Sequence, residues 1–164
     1  LAVLALLSTV SVSAQEPPAA SLAHIVKNVV LDPTTYAPGM ILYGAMRLDW
    51  ESSQIFFRHG FVEHNTDYTV SGVADTAAIG RRTGNRRIAG DAARVLQLSL
   101  AHNVAARILE HELTRRYPTH RKLFRVVGRI ERIAAASFLS TALSAAHVRQ
   151  WRRNVRLARE LGYR

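Results

Sequence analysis

Cysteine is absent from this chain of 164 residues, and aromatic residues make up only 7% of it. Without a thiol the sequence offers no disulfide, no thiolate metal ligand and no cysteine nucleophile. The usual catalytic signatures are also missing, since no GxSxG nucleophile elbow, Walker loop or HExxH helix occurs. No nucleic-acid-binding module is recognisable. We therefore expect no cofactor, no resident metal and no nucleic-acid partner, and the sequence favours a non-enzymatic role.

Acidic residues are scarce in the second half of the chain. The sequence carries 22 Lys+Arg against 12 Asp+Glu, which gives a net charge of +10. Residues 1–80 contain three basic and seven acidic residues, whereas residues 81–164 contain nineteen basic and five acidic ones. This asymmetry predicts that an acidic half packs on a basic half, or that a basic surface binds an anionic partner. A solvated arginine-rich surface is the alternative.

Residues 1–14, LAVLALLSTVSVSA, form an uncharged apolar run that ends in small residues. Such a run is typical of a secretory signal peptide and is too short to cross about 30 Å of hydrocarbon. We expect a signal peptide over 1–14, a linker over 15–20 and a single helical domain over 21–164, exported to the periplasm or envelope of a bacterium. No Lys or Arg precedes the run and the first residue is Leu, so we take the start as truncated or misassigned. A frayed helix of a cytosolic protein is the alternative.

The remaining chain predicts an all-α fold, a small bundle of three to five helices. Ser21 can cap a short helix that ends at Asp32-Pro33, because the residue before proline is driven out of the helical region. Pro38 suits the first turn of a helix to about Leu48, and a further helix then runs to Gly60.

The second half predicts a long irregular segment and two long helices. Residues 61–90 are polar and punctuated by four glycines, which predicts an irregular segment and a place to look for a binding site. Apolar positions recur at helical spacing over residues 91–117. A C-terminal helix over 120–161 would exceed about 60 Å, so we expect a break or kink, with Gly128 as its weak point, or a projecting extension.

Residues 133–148, IAAASFLSTALSAAHV, carry no charge. Sixteen helical residues rise about 24 Å, less than the roughly 30 Å of a membrane span. Ten of them are small, which lets another helix approach closely. We expect a buried helix of a water-soluble bundle. Peripheral membrane association and a true span are the alternatives.

His102 and Asn103 lie in an otherwise apolar helical run, VLQLSLAHNVAARIL. Buried polar groups need hydrogen-bond partners, and Ser137, Ser144 and His147 on the last helix can supply them. We therefore predict a buried, structural polar network of these five residues. A ligand pocket is the alternative.

The stretch RRTGNRR places Arg81, Arg82, Arg86 and Arg87 around a glycine ahead of a predicted helix. Exposed backbone N–H groups and arginine forks favour an anion there, so these four arginines are a speculative anion site. A solvated basic loop is the alternative.

Trp151, Arg152 and Arg153 combine an aromatic ring with cations, which suits contact with a partner or with lipid headgroups. The alternative is that Trp151 packs on the core while the arginines face water.

The sequence thus favours an exported envelope protein that binds an anionic envelope component or a protein partner through residues 81–87 and the C-terminal arginine helix. A small hydrolase that uses His59, Glu63 or His102 in a cleft beside the irregular segment is one rival. His59, Glu63 and His64 do not match a zinc-hydrolase spacing, which favours a helix cap followed by a polar loop. A small membrane protein anchored by residues 133–148 is the other rival.

Overall fold

A computed structural model describes residues 19–163 of the chain. The predicted signal peptide, and the predicted linker up to residue 18, lie outside the described residues. Two isolated β-bridges are the only extended pairing within residues 19–163, so the predicted all-α fold is confirmed. The α-helices in this range are, in chain order, α1 (Ala19–Val30), α2 (Pro33–Arg58), α3 (Arg81–Arg116) and α4 (Arg121–Glu160), with 3-10 turns at Thr66–Tyr68 and Pro118–His120.

Helices α2 and α4 run parallel to each other. Asp32, directly before α2, contacts Arg132 in the first half of α4, and Ser52 near the end of α2 bonds Asn154 near the end of α4. The chain can return in the same direction because α3 and the irregular segment lie between them in sequence.

Helix α3 runs antiparallel to α2. Arg81 at the start of α3 forms an ion pair with Glu51 near the end of α2, and Asn103 bonds Thr35 at the start of α2. Helices α2, α3 and α4 therefore pack as a three-helix bundle, with α1 beside one of its ends. Toward the opposite end lies an apolar core cluster of Leu42, Met46, Trp50, Tyr68 and Ile88.

Helix α2 is one helix of 26 residues, whereas the sequence predicted two shorter ones after Asp32. Asp32 caps it by accepting a 3.1 Å hydrogen bond from the Thr34 N–H. Pro38 lies inside the helix and cannot donate to the carbonyl of Thr34. That carbonyl instead accepts a 3.0 Å hydrogen bond from the Ser99 hydroxyl of α3. A side chain from another helix thus satisfies the group that the proline leaves free.

The irregular segment ends at Gly80, ten residues earlier than predicted, because residues 81–90 are helical. Gly84 falls within the range that the sequence predicted to be irregular. A Cβ at Gly84 would lie 2.4 Å from the Trp50 ring, so the glycine lets α3 press against that ring. Ile88, one turn later, is fully buried in the core. Tertiary packing therefore outweighs the low helix propensity of glycine.

Helix α4 is continuous over 40 residues, so the predicted break at Gly128 does not occur. A Cβ at Gly128 would lie 2.8 Å from Glu110 Oε2 of α3. The glycine thus serves the close approach of a carboxylate from α3, and it does not weaken the helix.

The uncharged stretch 133–148 is buried on one face only. Ala136, Ser140 and Ser144 are buried against the bundle, whereas the Phe138 side chain is 72% exposed. The Ser140 hydroxyl donates to the Ala136 carbonyl at 2.6 Å, within the same helix. Among the helices of residues 19–163, none has the length and apolar character that a membrane span requires.

Candidate functional site

A basic cleft of about 1020 Å³ opens where α1, the start of α2, the end of α3 and the start of α4 meet. Arginines outnumber carboxylates along its walls, so the cleft attracts anions. The charged and titratable residues that line it are Arg107, Arg115, Arg121, Arg125, Arg129, Arg132, Asp32, Glu110, His24 and His111.

Four of these residues form a largely buried ion cluster at the inner wall of the cleft, with side chains between 4% and 22% exposed. Arg107 Nη2 lies 2.9 Å from Asp32 Oδ2, and Arg132 Nη1 lies 2.8 Å from Glu110 Oε2. The Arg132 side chain is only 4% exposed. Two guanidinium groups and two carboxylates balance one another, and the cluster joins the start of α2 to α3 and α4.

The Nε atoms of Arg107 and Arg132 are buried without a hydrogen-bond partner among residues 19–163. Arg132 Nε lies 3.3 Å from Asp32 Oδ2 but lacks hydrogen-bond geometry. Both guanidinium groups therefore retain unused donors next to the cleft.

Asp32 stays ionised in this cluster. Burial alone would raise the pKa of its carboxyl, but hydrogen bonds from Thr34 and the Arg107 guanidinium outweigh burial and hold the pKa below its ordinary value. The helix cap and the ion cluster thus share one carboxylate.

Three exposed arginines continue from the buried cluster along one face of α4. Arg121, Arg125 and Arg129 are spaced four residues apart, so their side chains lie one turn above another, and Arg132 follows on the same side. The salt bridges of the cleft use Arg107, Arg115 and Arg132, and within the described residues none uses the other three. Their guanidinium forks are free to grip an anion.

The predicted anion residues lie at the other end of the bundle, in the first two turns of α3. Arg81 pairs with Glu51, and Arg87 Nη2 lies 3.4 Å from Asp67 Oδ1. Arg82 and Arg86 are exposed. These residues are helical and not part of the irregular segment, and acidic side chains pair with two of the four guanidinium groups. Anion binding by the four arginines stays a prediction.

The five residues of the predicted polar network do not come together. Asn103 is buried and donates to Thr35 Oγ1 at 2.9 Å, so its partner lies on α2 instead of α4. His102 Nε2 lies 3.0 Å from Glu131 Oε1. The other three lie apart on α4: Ser137 is exposed, Ser144 donates to the Ser140 carbonyl, and His147 contacts Asp49.

A second cavity, of about 510 Å³, lies between the end of α2, the irregular segment and α4. His147 Nδ1 lies 2.9 Å from Asp49 Oδ2 in its wall. The Tyr68 hydroxyl is buried without a hydrogen-bond partner among the described residues, and burial raises the pKa of Tyr68 to about 12. Arg153 also lines this cavity, while Trp151 is half-buried and Arg152 is exposed.

The residues of the hydrolase alternative are separated. The His59 ring stacks on Tyr163 with centroids 3.7 Å apart, while Glu63 accepts a hydrogen bond from the Asn65 N–H. His64 pairs with Asp75, and His102 lies on α3. Between residues 19 and 163 no group of three or more His, Asp or Glu side chains is arranged to hold a metal ion.

Comparison with protein-family models, curated proteins and solved structures finds no match to this chain. Only the geometry and charge of the cleft therefore indicate that it is a binding site. Sequence reasoning missed it, although the four-residue spacing of Arg121, Arg125 and Arg129 is visible in the sequence. The partners that complete the cleft come from three other helices, which no local pattern indicates.

Proposed function

We propose that this chain is an exported helical binding module of the bacterial envelope whose basic cleft binds an anionic, phosphate-bearing component. The observation that carries the proposal is the row of exposed arginines, Arg121, Arg125 and Arg129, that leads to the buried guanidinium of Arg132. The proposed binding surface lies at the start of the predicted C-terminal arginine helix, and an anion site at residues 81–87 stays a separate prediction.

A phosphate group suits this row better than a carboxylate does. Guanidinium forks bind both anions in bidentate fashion, but a phosphate offers three or more oxygens and so engages several arginines at once. The buried cluster of Asp32, Arg107, Glu110 and Arg132 fixes the wall beside the row. A fixed wall lowers the entropic cost of binding.

Export is the part of the proposal that rests on residues 1–14. Cell fractionation, with mass determination of the mature N-terminus, tests it. A chain recovered outside the cytoplasm with residues 1–14 removed supports export, and a cytoplasmic chain that retains them contradicts it.

The rival hydrolase has weaker support, because His59 and His102 lie away from the cavity that Glu63 lines.

A protein partner is the other possible occupant of the cleft. A site for a phosphate group should bind a small phosphate probe by itself, whereas a site for a protein surface need not.

Isothermal titration with pyrophosphate at low ionic strength tests the cleft. The Arg125→Gln/Arg129→Gln variant should lose at least about tenfold in affinity, because two phosphate contacts are removed. The matched control is Arg152→Gln/Arg156→Gln, which removes the same charge at the same spacing from the other end of α4 and should change affinity less than about threefold. Absent binding, or equal losses in the two variants, would contradict a site in the cleft.

A further inference from the structure

The basic cleft is larger than a phosphate group requires. Its volume of about 1020 Å³ is that of a large small-molecule site. A phosphate or pyrophosphate ion by itself would leave most of this space to water. The uncharged residues of the wall therefore indicate what else the ligand carries.

Aliphatic side chains line one end of the cleft. Ile25 of α1, Leu31 between α1 and α2, and Ile133 of α4 belong to its wall. Ile25 is buried, whereas Leu31 and Ile133 are 69% and 48% exposed. Leu31 directly precedes Asp32 and Ile133 directly follows Arg132, and Arg132 Nε lies 3.3 Å from Asp32 Oδ2. Because they flank the same ion contact, the two exposed aliphatic residues belong to the same end of the cleft.

The two ends of the cleft differ in charge. At the aliphatic end, the two guanidinium groups of the ion cluster are balanced by its two carboxylates. The row of Arg121, Arg125 and Arg129 leads away from that end along α4, and Ile133 is the next position after Arg129 at the same four-residue spacing. The wall therefore passes from exposed cations to aliphatic side chains. It complements a molecule with a phosphate at one end and an apolar body at the other.

The wall suits an aliphatic body better than a nucleotide base. Within the described residues, no Phe, Tyr or Trp lines the cleft. Bases that proteins bind commonly stack on aromatic rings, and their polar edges need hydrogen-bond partners. An alkyl chain has no polar edge and gains free energy from contact with Leu and Ile alone.

We propose that the ligand of the basic cleft is a phosphate monoester of an aliphatic alcohol, bound as a single molecule. Arg121, Arg125 and Arg129 hold its phosphate, and its alkyl chain runs along Ile133 and Leu31. This inference rests on the proposed function of the cleft as a phosphate site. It adds the class of molecule that carries the phosphate.

Isothermal titration with three phosphate monoesters tests the proposal. Octyl phosphate, kept below the concentration at which it forms micelles, should bind at least about tenfold more tightly than methyl phosphate, because several methylene groups leave water. Adenosine monophosphate carries the same phosphate on a base, and it should bind within about threefold of methyl phosphate. The proposal would be overturned by octyl phosphate that binds no more tightly than methyl phosphate, or by adenosine monophosphate that binds as tightly as octyl phosphate.

The variant Leu31→Ser/Ile133→Ser removes the two exposed aliphatic side chains of the cleft. It should lose at least about fivefold in affinity for octyl phosphate, because the alkyl chain loses its contacts. Its affinities for methyl phosphate and pyrophosphate should stay within about twofold of those of the parent chain, since the arginines are unchanged.

The matched control is Val30→Ser/Ile130→Ser. Val30 and Ile130 are 49% and 61% exposed and lie on α1 and α4, outside the lining of the cleft. This variant should bind octyl phosphate within about twofold of the parent chain. Because all four substituted residues are exposed, circular dichroism should show an intact fold for both variants. Equal losses of octyl phosphate affinity in the two variants would overturn the proposal, since the alkyl chain would then lie elsewhere.

Sedimentation with vesicles distinguishes a single bound molecule from a membrane surface. A flat bilayer cannot enter a cleft between helices, so vesicles of equal parts phosphatidic acid and phosphatidylcholine should bind the two serine variants equally. Weaker vesicle binding by Leu31→Ser/Ile133→Ser than by its control would mean that these residues contact a bilayer, and would overturn binding of a single molecule.

The two proposals fail separately. Absent pyrophosphate binding contradicts the phosphate site itself. Pyrophosphate binding without a gain from the octyl chain contradicts only the class of ligand.

Discussion

Arg132 Nη1 on α4 lies 2.8 Å from Glu110 Oε2 on α3, where the Arg132 side chain is 4% exposed and the Glu110 side chain 15% exposed. Gly128, one turn before Arg132, leaves room for this carboxylate, because a Cβ there would lie 2.8 Å from Glu110 Oε2. The pair forms the inner wall of the basic cleft. Packing of the bundle and shape of the cleft therefore depend on the same contact.

Glu110→Gln should destabilise the protein by about 3 kcal/mol, because it leaves the buried Arg132 guanidinium without its nearest counter-charge. Urea denaturation followed by circular dichroism measures the change. Glu112→Gln is the control, since that carboxylate pairs with Arg115 on the surface of the same helix. Its midpoint should stay close to that of the parent chain, and equal shifts for the two variants would argue against a buried cluster.

Acid should remove the contribution of Asp32 to stability. The pKa of Asp32 is lower in the folded chain than its ordinary value of 3.8, so the unfolded chain takes up the proton first as the pH falls. The contribution is thus present above about pH 4 and disappears as the pH falls through the folded pKa. In urea unfolding at pH 7 and pH 3, Asp32→Asn should lose less stability on acidification than the parent chain. An equal loss in both proteins would contradict this role.

Gly84→Ala should destabilise the chain by about 1 to 3 kcal/mol, because the new methyl group would overlap the Trp50 ring. Gly90→Ala, two turns later in the same helix, meets no atom within 4 Å and should stabilise by about 0.5 to 1 kcal/mol. Thermal or urea unfolding of the two variants decides the sign. Stabilisation by both would mean that α3 does not press against Trp50.

Ser99→Ala should cost about 1 kcal/mol, because the Thr34 carbonyl loses its only replacement for the N–H that Pro38 lacks. In a Pro38→Ala background the restored N–H can donate to that carbonyl, so Ser99→Ala should cost less there. A double-mutant cycle measured by urea unfolding gives this coupling. Independent, additive effects would show that the serine does not compensate for the proline.

Local sequence signals predicted the helical class and the boundary at Asp32-Pro33, because caps and prolines act on their immediate neighbours. They failed at Pro38 and Gly84, where a distant side chain decides the outcome. The Ser99 hydroxyl makes the proline tolerable within α2, and the Trp50 ring requires the glycine within α3. Nothing within a few residues of either position reports these contacts.

The candidate site could not be predicted from the sequence either, because it also depends on contacts between residues that are distant in the chain. The sequence predicts a C-terminal arginine helix, but it does not show which residues of other helices face these arginines. Only the fold brings Asp32, Arg107 and Glu110 to Arg132 and so turns the row of arginines into one wall of a cleft. The inward direction of Asn103 toward α2 likewise depends on how α3 crosses α2.

The most direct test of the cleft is a proton–nitrogen NMR spectrum of the arginine Nε–H groups during titration with pyrophosphate. The account predicts saturable shifts for Arg125, Arg129 and Arg132, while Arg152 and Arg156 at the other end of α4 stay nearly unchanged. Shifts that are equal at both ends of the helix, or no shift at Arg125 and Arg129, would contradict it.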